Sequence, residues 1–197
     1  MRITGGLWAG RPLKVPPGQG VRPTPDKVRQ AIFNSLGGWV AGQSVLELFA
    51  GSGALSLECL SRGATRAVCV ELSRRHAGVL RGNLQSLEAD AGVRVQDAFV
   101  AARQLAEHGE QFDFIVADPP YGEKNTGRRS ESLAQRLLDD ENMPRILKAD
   151  GRLLLGHARR DQLDVAPPWS DLKVLKHGDN WIRMLEILAE ESYEPKG

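Results

Sequence analysis

Asp118-Pro119-Pro120-Tyr121 follows the apolar run Phe114-Ile115-Val116-Ala117 and cannot continue it as a central strand. Neither proline donates a backbone hydrogen bond, so the run ends in a stiff loop. The Asp118 carboxylate and the Pro119 carbonyl are two acceptors on one rigid turn. That pair suits an exocyclic NH2 group, which has two donors, and Tyr121 can stack on the heterocycle that carries it. Chemistry at such a nitrogen is mainly a matter of position and preorganised electrostatics.

A second cluster lies upstream. In VLELFAGSGALSLECL, the residues Phe49, Ala50, Gly51, Ser52 and Gly53 form a turn between a strand and a helix. The glycines permit a tight turn and close approach of a ligand. There is no P-loop lysine, and Leu55-Ser56 stands where the third glycine of a dinucleotide fingerprint would fall. Triphosphate hydrolysis and dehydrogenase chemistry are therefore disfavoured. Glu47 lies within the strand before the turn, where an acid needs a partner. Glu71 ends the next strand, 20 residues after Gly51, a position suited to two ribose hydroxyls. Asp97 ends the third strand and can receive an adenine amine. Each acid alone could be a helix cap or a solvated strand end. Three of them at consecutive strand ends suggest a nucleoside bearing a cation. With the loop at Asp118, the chemistry expected is attack of an amine on a methyl sulfonium.

The elements that must position these groups follow from periodicity. A helix is expected from about 25 to 36, with Val28, Ile32, Phe33 and Leu36 on one stripe, Thr24 as its N-cap and Pro25 at its first position. Strands are expected at 44–49, 66–72, 93–95, 112–117 and 153–155, and helices at 53–61, 73–87, 99–107, 130–140 and 142–148. Residues 172–176 and 182–188 read as an antiparallel hairpin turning near Gly178-Asp179. The expected fold is α/β: a doubly wound, mostly parallel sheet with an antiparallel C-terminal edge.

Of the 197 residues, 41% are apolar and 26% charged, ordinary values for a soluble chain, and one substantial core is expected. Apolar runs are too short for a membrane span, and the N-terminus lacks a signal-peptide core, so a cytoplasmic protein is expected. Cys59 and Cys69 read as small buried hydrophobes. No cluster of Cys and His has metal-site spacing, so no metal is expected. Residues 1–40 carry six basic residues against one acid, a net of +5, which leaves −4 for the rest of a chain whose total is +1. This Gly- and Pro-rich arm has few apolar side chains and reads as either a solvated terminus or a phosphate-contacting surface. His157 reads as ordinary surface. The four tryptophans read as packing residues, with only Trp8 placed to stack on a base.

The segments RITGGLWAGRPLKVP, RPTPDKVRQAIFNSL, VLELFAGSGALSLECLSRGA and DPPY together resemble the bacterial RsmD family of class I S-adenosylmethionine-dependent methyltransferases. That resemblance implies a Rossmann-like methyltransferase domain over 41–191, preceded by a basic extension and helix over 1–40 for RNA contact and site closure. It implies methylation of the 2-amino group of a guanine in 16S ribosomal RNA, in an assembled or assembling small subunit; a monomer is expected. Glu47, Phe49, Gly51, Gly53, Glu71 and Asp97 match its cofactor motifs, and Asp118, Pro119, Pro120 and Tyr121 its catalytic loop. Arg2, Arg11, Arg22, Thr24, Arg29, Phe33 and Asn34 match its N-terminal signature. We assign Phe33 and Asn34 to the cofactor and Arg2, Arg11, Arg22 and Arg29 to RNA. Lys124, Arg128 and Arg129, in a polar loop beside the proposed pocket, are candidates for flanking phosphates or for a solvated loop without a role. This chain has Gly156-His157 where the family commonly has an acidic residue. Alternatives are an adenine-N6 enzyme on DNA or RNA, a protein glutamine-amide enzyme (many of which carry Asn in place of Asp118), and a non-catalytic RNA-binding relic, against which the intact acids argue.

Overall fold

Strand propensity and buried alternation set the sheet in the computed structural model, which describes residues 1–17, 24–121 and 130–188. The strands are β1 (Ser44–Leu48), β2 (Arg66–Glu71), β3 (Gly92–Val95), β4 (Phe112–Ala117), β5 (Leu147–Ala158), β6 (Trp169–His177) and β7 (Asn180–Ile187). Their spatial order is β3-β2-β1-β4-β5-β7-β6. The first five are parallel, and β1 pairs with both β2 and β4. Chain order reverses beside β1, so a crevice opens at the C-terminal strand ends there.

The helices are α1 (Asp26–Leu36), α2 (Ala54–Ser61), α3 (Arg74–Leu87), α4 (Ala98–Glu107), α5 (Leu133–Asp139) and α6 (Asn142–Arg145). Period-2 alternation sorts the strands between two layers. Leu46, Val68 and Ile115 pack against Ala101, Leu105 and Leu137, on the side of α4, α5 and α6. Val45, Ala67, Phe114 and Leu154 pack against Val28, Ile32, Phe33 and Leu36 of α1. Cys69 joins Leu57 of α2 and Leu80 and Leu84 of α3. Both cysteines are buried and free.

The C-terminal hairpin forms as expected, and its last strand lies inboard. β7 pairs antiparallel with β5, and β6 becomes the edge. Burial explains the order: Ile182, Met184 and Leu185 of β7 are buried, whereas Asp171, Leu172 and Lys173 of β6 are exposed. A charged edge resists pairing with other chains. The expected helix over 142–148 is shorter, because Leu147 already pairs with Phe112. The register then shifts so that Arg152 meets Phe114, and Lys148 in this excursion pairs with Asp113.

Two expectations at the N-terminus need correction. Thr24 is not the cap of α1; Pro25 takes that position without a side-chain cap bond. The arm also supplies apolar side chains to the core. Residues 1–13 fold back on themselves, with Ile3 N–H donating to Arg11 O at 3.0 Å and Leu13 N–H to Met1 O at 2.9 Å. Ile3 and Leu13 are buried against Leu57, Leu80 and Leu84. Gly6 has a φ of 79°, and a Cβ there would lie 1.9 Å from Ser61 O, so only glycine lets the arm press onto α2. Among the described residues no helix is long and apolar enough to cross a membrane.

Candidate active site

A cavity of about 1330 Å³ occupies the crevice. The loop after β1 forms one wall by bending through three positive φ angles: Phe49 at 57°, Gly51 at 53° and Gly53 at 74°. Phe49 is a bulky residue in the left-handed region, where it is strained. Its ring meets Phe99 edge to face, with centroids 6.5 Å apart. Gly53 does not line the cavity; a Cβ there would lie 2.9 Å from Leu80 Cγ, so it lets the loop sit on α3. Asn83 of α3 secures the same loop and the arm together. Its amide donates to Ser52 O and Lys14 O, both at 2.9 Å, and its carbonyl accepts from Lys14 N–H at 2.8 Å.

The three strand-end acids border this cavity in different states. Glu47 is buried, and its Oε2 accepts from Ser56 N–H at 2.9 Å in the first turn of α2. Burial pushes its pKa up from 4.5 to about 7, against the opposing hydrogen bonds from Ser56. No cation pairs with it among the described residues. Glu71 clamps the loop: Oε2 accepts from Gly51 N–H and Oε1 from Ser73 N–H, each at 2.8 Å. His76 Nδ1 stands 3.6 Å from Oε1. Asp97 caps α4, with Oδ1 accepting from Phe99 N–H at 2.9 Å and Val100 N–H at 3.1 Å. For Asp97 the helix-cap reading of the sequence is therefore realised, and the residue also lines the cavity.

Asp118, Pro119, Pro120 and Tyr121 line the same cavity from the end of β4. Asp118 Oδ2 accepts from Thr24 Oγ1 at 2.6 Å. Its other oxygen lies over Gly156 of β5, where a Cβ would come within 2.2 Å of Oδ1. Burial raises the Asp118 pKa, and the Thr24 hydrogen bond opposes the rise. Exposed Arg159 and Arg160, just past β5, reach the cavity wall together with Asp179 and Asn180 of the hairpin turn.

Several expected site residues are elsewhere. Arg29 is fully buried and bonded to Asp26 and Glu58, so it presents nothing to RNA. Phe33 is buried under the sheet, with the Arg62 guanidinium 4.8 Å from its ring centre, and Asn34 is exposed; neither lines the cavity. His157 is not surface: it is buried on β5, its ring edge-on to Trp181 at 6.0 Å. Burial and the nearby Arg183 charge hold its pKa low. Arg2 and Arg11 are exposed, with Arg2 Nε 3.6 Å from Asp26 and Arg11 donating to Ser86 O. Arg22, Lys124, Arg128 and Arg129 lie outside the described residues. Thr24, His76, Gln96, Arg159 and Arg160 also line the cavity, beyond the lining expected from the sequence. For the two arginines a signal existed: they follow the C-terminal end of a parallel strand beside the crevice.

A family model described as Conserved hypothetical protein 95 matches residues 1–185. Ribosomal RNA small subunit methyltransferase D of Escherichia coli K12 is 42% identical over 121 residues, covering 61% of this chain and 60% of that protein. The chain thus spans about 60% of the length of that relative in the match. "Putative rRNA methyltransferase YlbH" of Bacillus subtilis is 35% identical over 165 residues, covering 83% of this chain and 85% of that protein. The solved structure "Putative methyltransferase yhhF from Escherichia coli" superposes with a TM-score of 0.77 at 31% identity, over 96% of this chain and 99% of that one. The strand order and flanking helices are those of a Rossmann-like class I methyltransferase fold.

Proposed function

The chain belongs to the Conserved hypothetical protein 95 family and is homologous to the ribosomal RNA small subunit methyltransferase D proteins, and we propose that it methylates ribosomal RNA using S-adenosyl-L-methionine. The observation that carries this reading is that Asp118-Pro119-Pro120-Tyr121 lines the same cavity as Glu47, Glu71 and Asp97. An acceptor loop for an amine thus faces a set of acids suited to a cationic nucleoside.

The residues fit that cofactor. Glu47 is a buried acid bordering the cavity with no cationic partner among the described residues, and an ammonium group would supply one. Glu71 would take ribose hydroxyls with the lone pairs that its two backbone bonds leave free, and Asp97 the adenine amine. Phe49 and Gly51 would form the wall against which the cofactor rests. When bound, the cofactor supplies a methyl group on a sulfonium.

The rest is positioning by this chain. Asp118 accepts a hydrogen bond from the target NH2 and draws its nitrogen toward tetrahedral geometry, which frees the lone pair from the ring. The amine would gain an N–C bond as that methyl carbon's bond to sulfur breaks; its proton, more acidic as the bond forms, would pass to solvent, so Asp118 need not be a strong base. Pro119 and Pro120 restrict the loop, and Tyr121 stacks on the base.

The finer assignment is the 2-amino group of a guanine in 16S RNA, within the small subunit or its precursor. The Escherichia coli relative is named as a small-subunit enzyme, which supports the small subunit. We place the enzyme in the cytoplasm as a monomer, with 41–191 as its catalytic unit. The exposed Arg2, Arg11, Arg159 and Arg160 would meet phosphates. The test is incubation with labelled S-adenosyl-L-methionine and, separately, 16S RNA, 23S RNA, small subunits and DNA, followed by mass analysis of digested nucleosides. N2-methylguanosine from 16S RNA or small subunits is expected. N6-methyladenosine, or label in DNA alone, would overturn the assignment.

A further inference from the structure

We infer that Thr24 is a positioning residue for Asp118 and that the buried Arg29–Glu58 pair holds Thr24 in place, so that the folded N-terminal arm sets the geometry of the reacting carboxylate. This rests on the methyl-transfer reading above. Thr24 stands where a helix cap is expected, yet its hydroxyl makes no cap bond to α1. It donates instead to Asp118 Oδ2 at 2.6 Å, across 94 residues of sequence. With the other carboxylate oxygen over Gly156, the carboxylate is held on both sides.

Arg29 explains how Thr24 stays there. Its side chain is 0% exposed, as is that of Glu58, whose Oε1 is 3.5 Å from Arg29 Nε. The guanidinium donates to Thr24 O at 2.7 Å, to Asp26 Oδ1 at 2.9 Å and to Arg2 O. Glu58 Oε1 also accepts from Thr4 N–H at 2.6 Å. Two of the guanidinium's bonds therefore end on backbone carbonyls, one in the arm and one at Thr24 itself. A buried ion pair contributes little net stability compared with apolar packing, because both charges are desolvated. What this one contributes is a fixed backbone position, and Thr24 transmits it to the site. Its hydroxyl offsets part of the desolvation of ionised Asp118 and leaves lone pairs that could accept from an incoming amine.

The test uses the full chain and a methyl-transfer assay on the RNA that the wild type modifies. Thr24→Val keeps the shape and removes the donor. We expect kcat to fall about 10- to 100-fold, with S-adenosylhomocysteine Kd within about twofold and Tm within about 2 °C of wild type. Thr24→Ser should restore kcat to within about threefold of wild type. Arg29→Lys keeps the charge without the planar fork, and should lower kcat while leaving that Kd unchanged. Thr24→Val with wild-type kcat would overturn the inference. So would a loss that Ser does not restore and that follows a lowered Tm, since that is the signature of a structural role alone. Full kcat in Arg29→Lys would remove Arg29 from the account. A wild type that binds S-adenosylhomocysteine and methylates no RNA would overturn the functional reading, and this inference with it.

Discussion

Gly156 and Asp118 share a space that admits only one of them to have a side chain: a Cβ at 156 would lie 2.2 Å from Asp118 Oδ1, 2.9 Å from its Cγ and 3.3 Å from its Cα. The glycine is thus the floor beneath the carboxylate. Gly156→Ala should push Asp118 off its position and lower kcat by about 100-fold, since a misplacement of about 1 Å has that effect. S-adenosylhomocysteine affinity should hold, because the acids proposed to bind it lie on β1, β2 and the start of α4. Overpacking should lower stability by about 1–3 kcal/mol. Steady-state kinetics with thermal melts check this, and an unaltered kcat would separate Asp118 from the chemistry.

Glu47 gives a pH signature in stability. Its pKa rises from 4.5 to about 7 on folding because burial disfavours the charge. Between those values the native state holds a proton that the unfolded chain releases, so stability falls as pH rises. The stabilising contribution is full below about 4.5 and lost as pH passes 7. Glu47→Gln removes the dependence while keeping an acceptor for Ser56 N–H. At pH 8 the ligand-free variant should melt several degrees above wild type, reflecting on the order of 2–3 kcal/mol. At pH 5 the two should converge. A difference in Tm that does not change with pH would contradict a buried carboxyl without a cationic partner.

Glu71 holds the loop and, in the proposed function, the ribose. Glu71→Ala removes the acceptor for Gly51 N–H as well as for the ligand. Binding of S-adenosylhomocysteine should weaken by roughly 1.5–3 kcal/mol, in the range of hydrogen bonds to charged groups. Titration calorimetry reads this directly. Unchanged affinity would reduce Glu71 to a partner of Ser73 and Gly51.

The arm serves two roles that mutations separate. Ile3 is 1% exposed, so Ile3→Ala should destabilise by about 2–5 kcal/mol. Arg2 is 71% exposed at its side chain, and replacing Arg2 and Arg11 with Gln should barely move Tm. The double replacement should flatten the log–log salt dependence of RNA affinity by about 1.4–1.8 if both meet phosphates. An unaltered slope would leave these arginines as solvated surface.

The strand–helix alternation was legible because runs such as Val45-Leu46 and Val68-Cys69-Val70 are buried and bounded by glycine turns. The start of β5 was not, since Lys148-Ala149-Asp150 bulges out with an ordinary helical composition. Arg29 carried a readable signal: 29, 32, 33 and 36 fall on one helical face, so a charge among Ile32, Phe33 and Leu36 implied burial with partners. Ile3 and Leu13 were hidden by the glycines and prolines around them, which suggested a solvated arm. Thr24 matched a local cap pattern so well that its distant partner could not be read from spacing, because a bond to Asp118 depends on how the chain closes. The burial of His157 is not legible in the sequence, because a polar residue on an inner strand looks like surface until the hairpin covers it with Trp181.

The most direct measurement is a paired one on Asp118→Ala: single-turnover methyl transfer to RNA, and S-adenosylhomocysteine binding by calorimetry. The loss of a group that acts only in the transition state appears in kcat and leaves ligand affinity nearly untouched. The predicted result is a Kd within about threefold of wild type together with a rate lowered by about a thousandfold or more. Turnover within about threefold of wild type would contradict the assignment of Asp118 as the acceptor for the target amine.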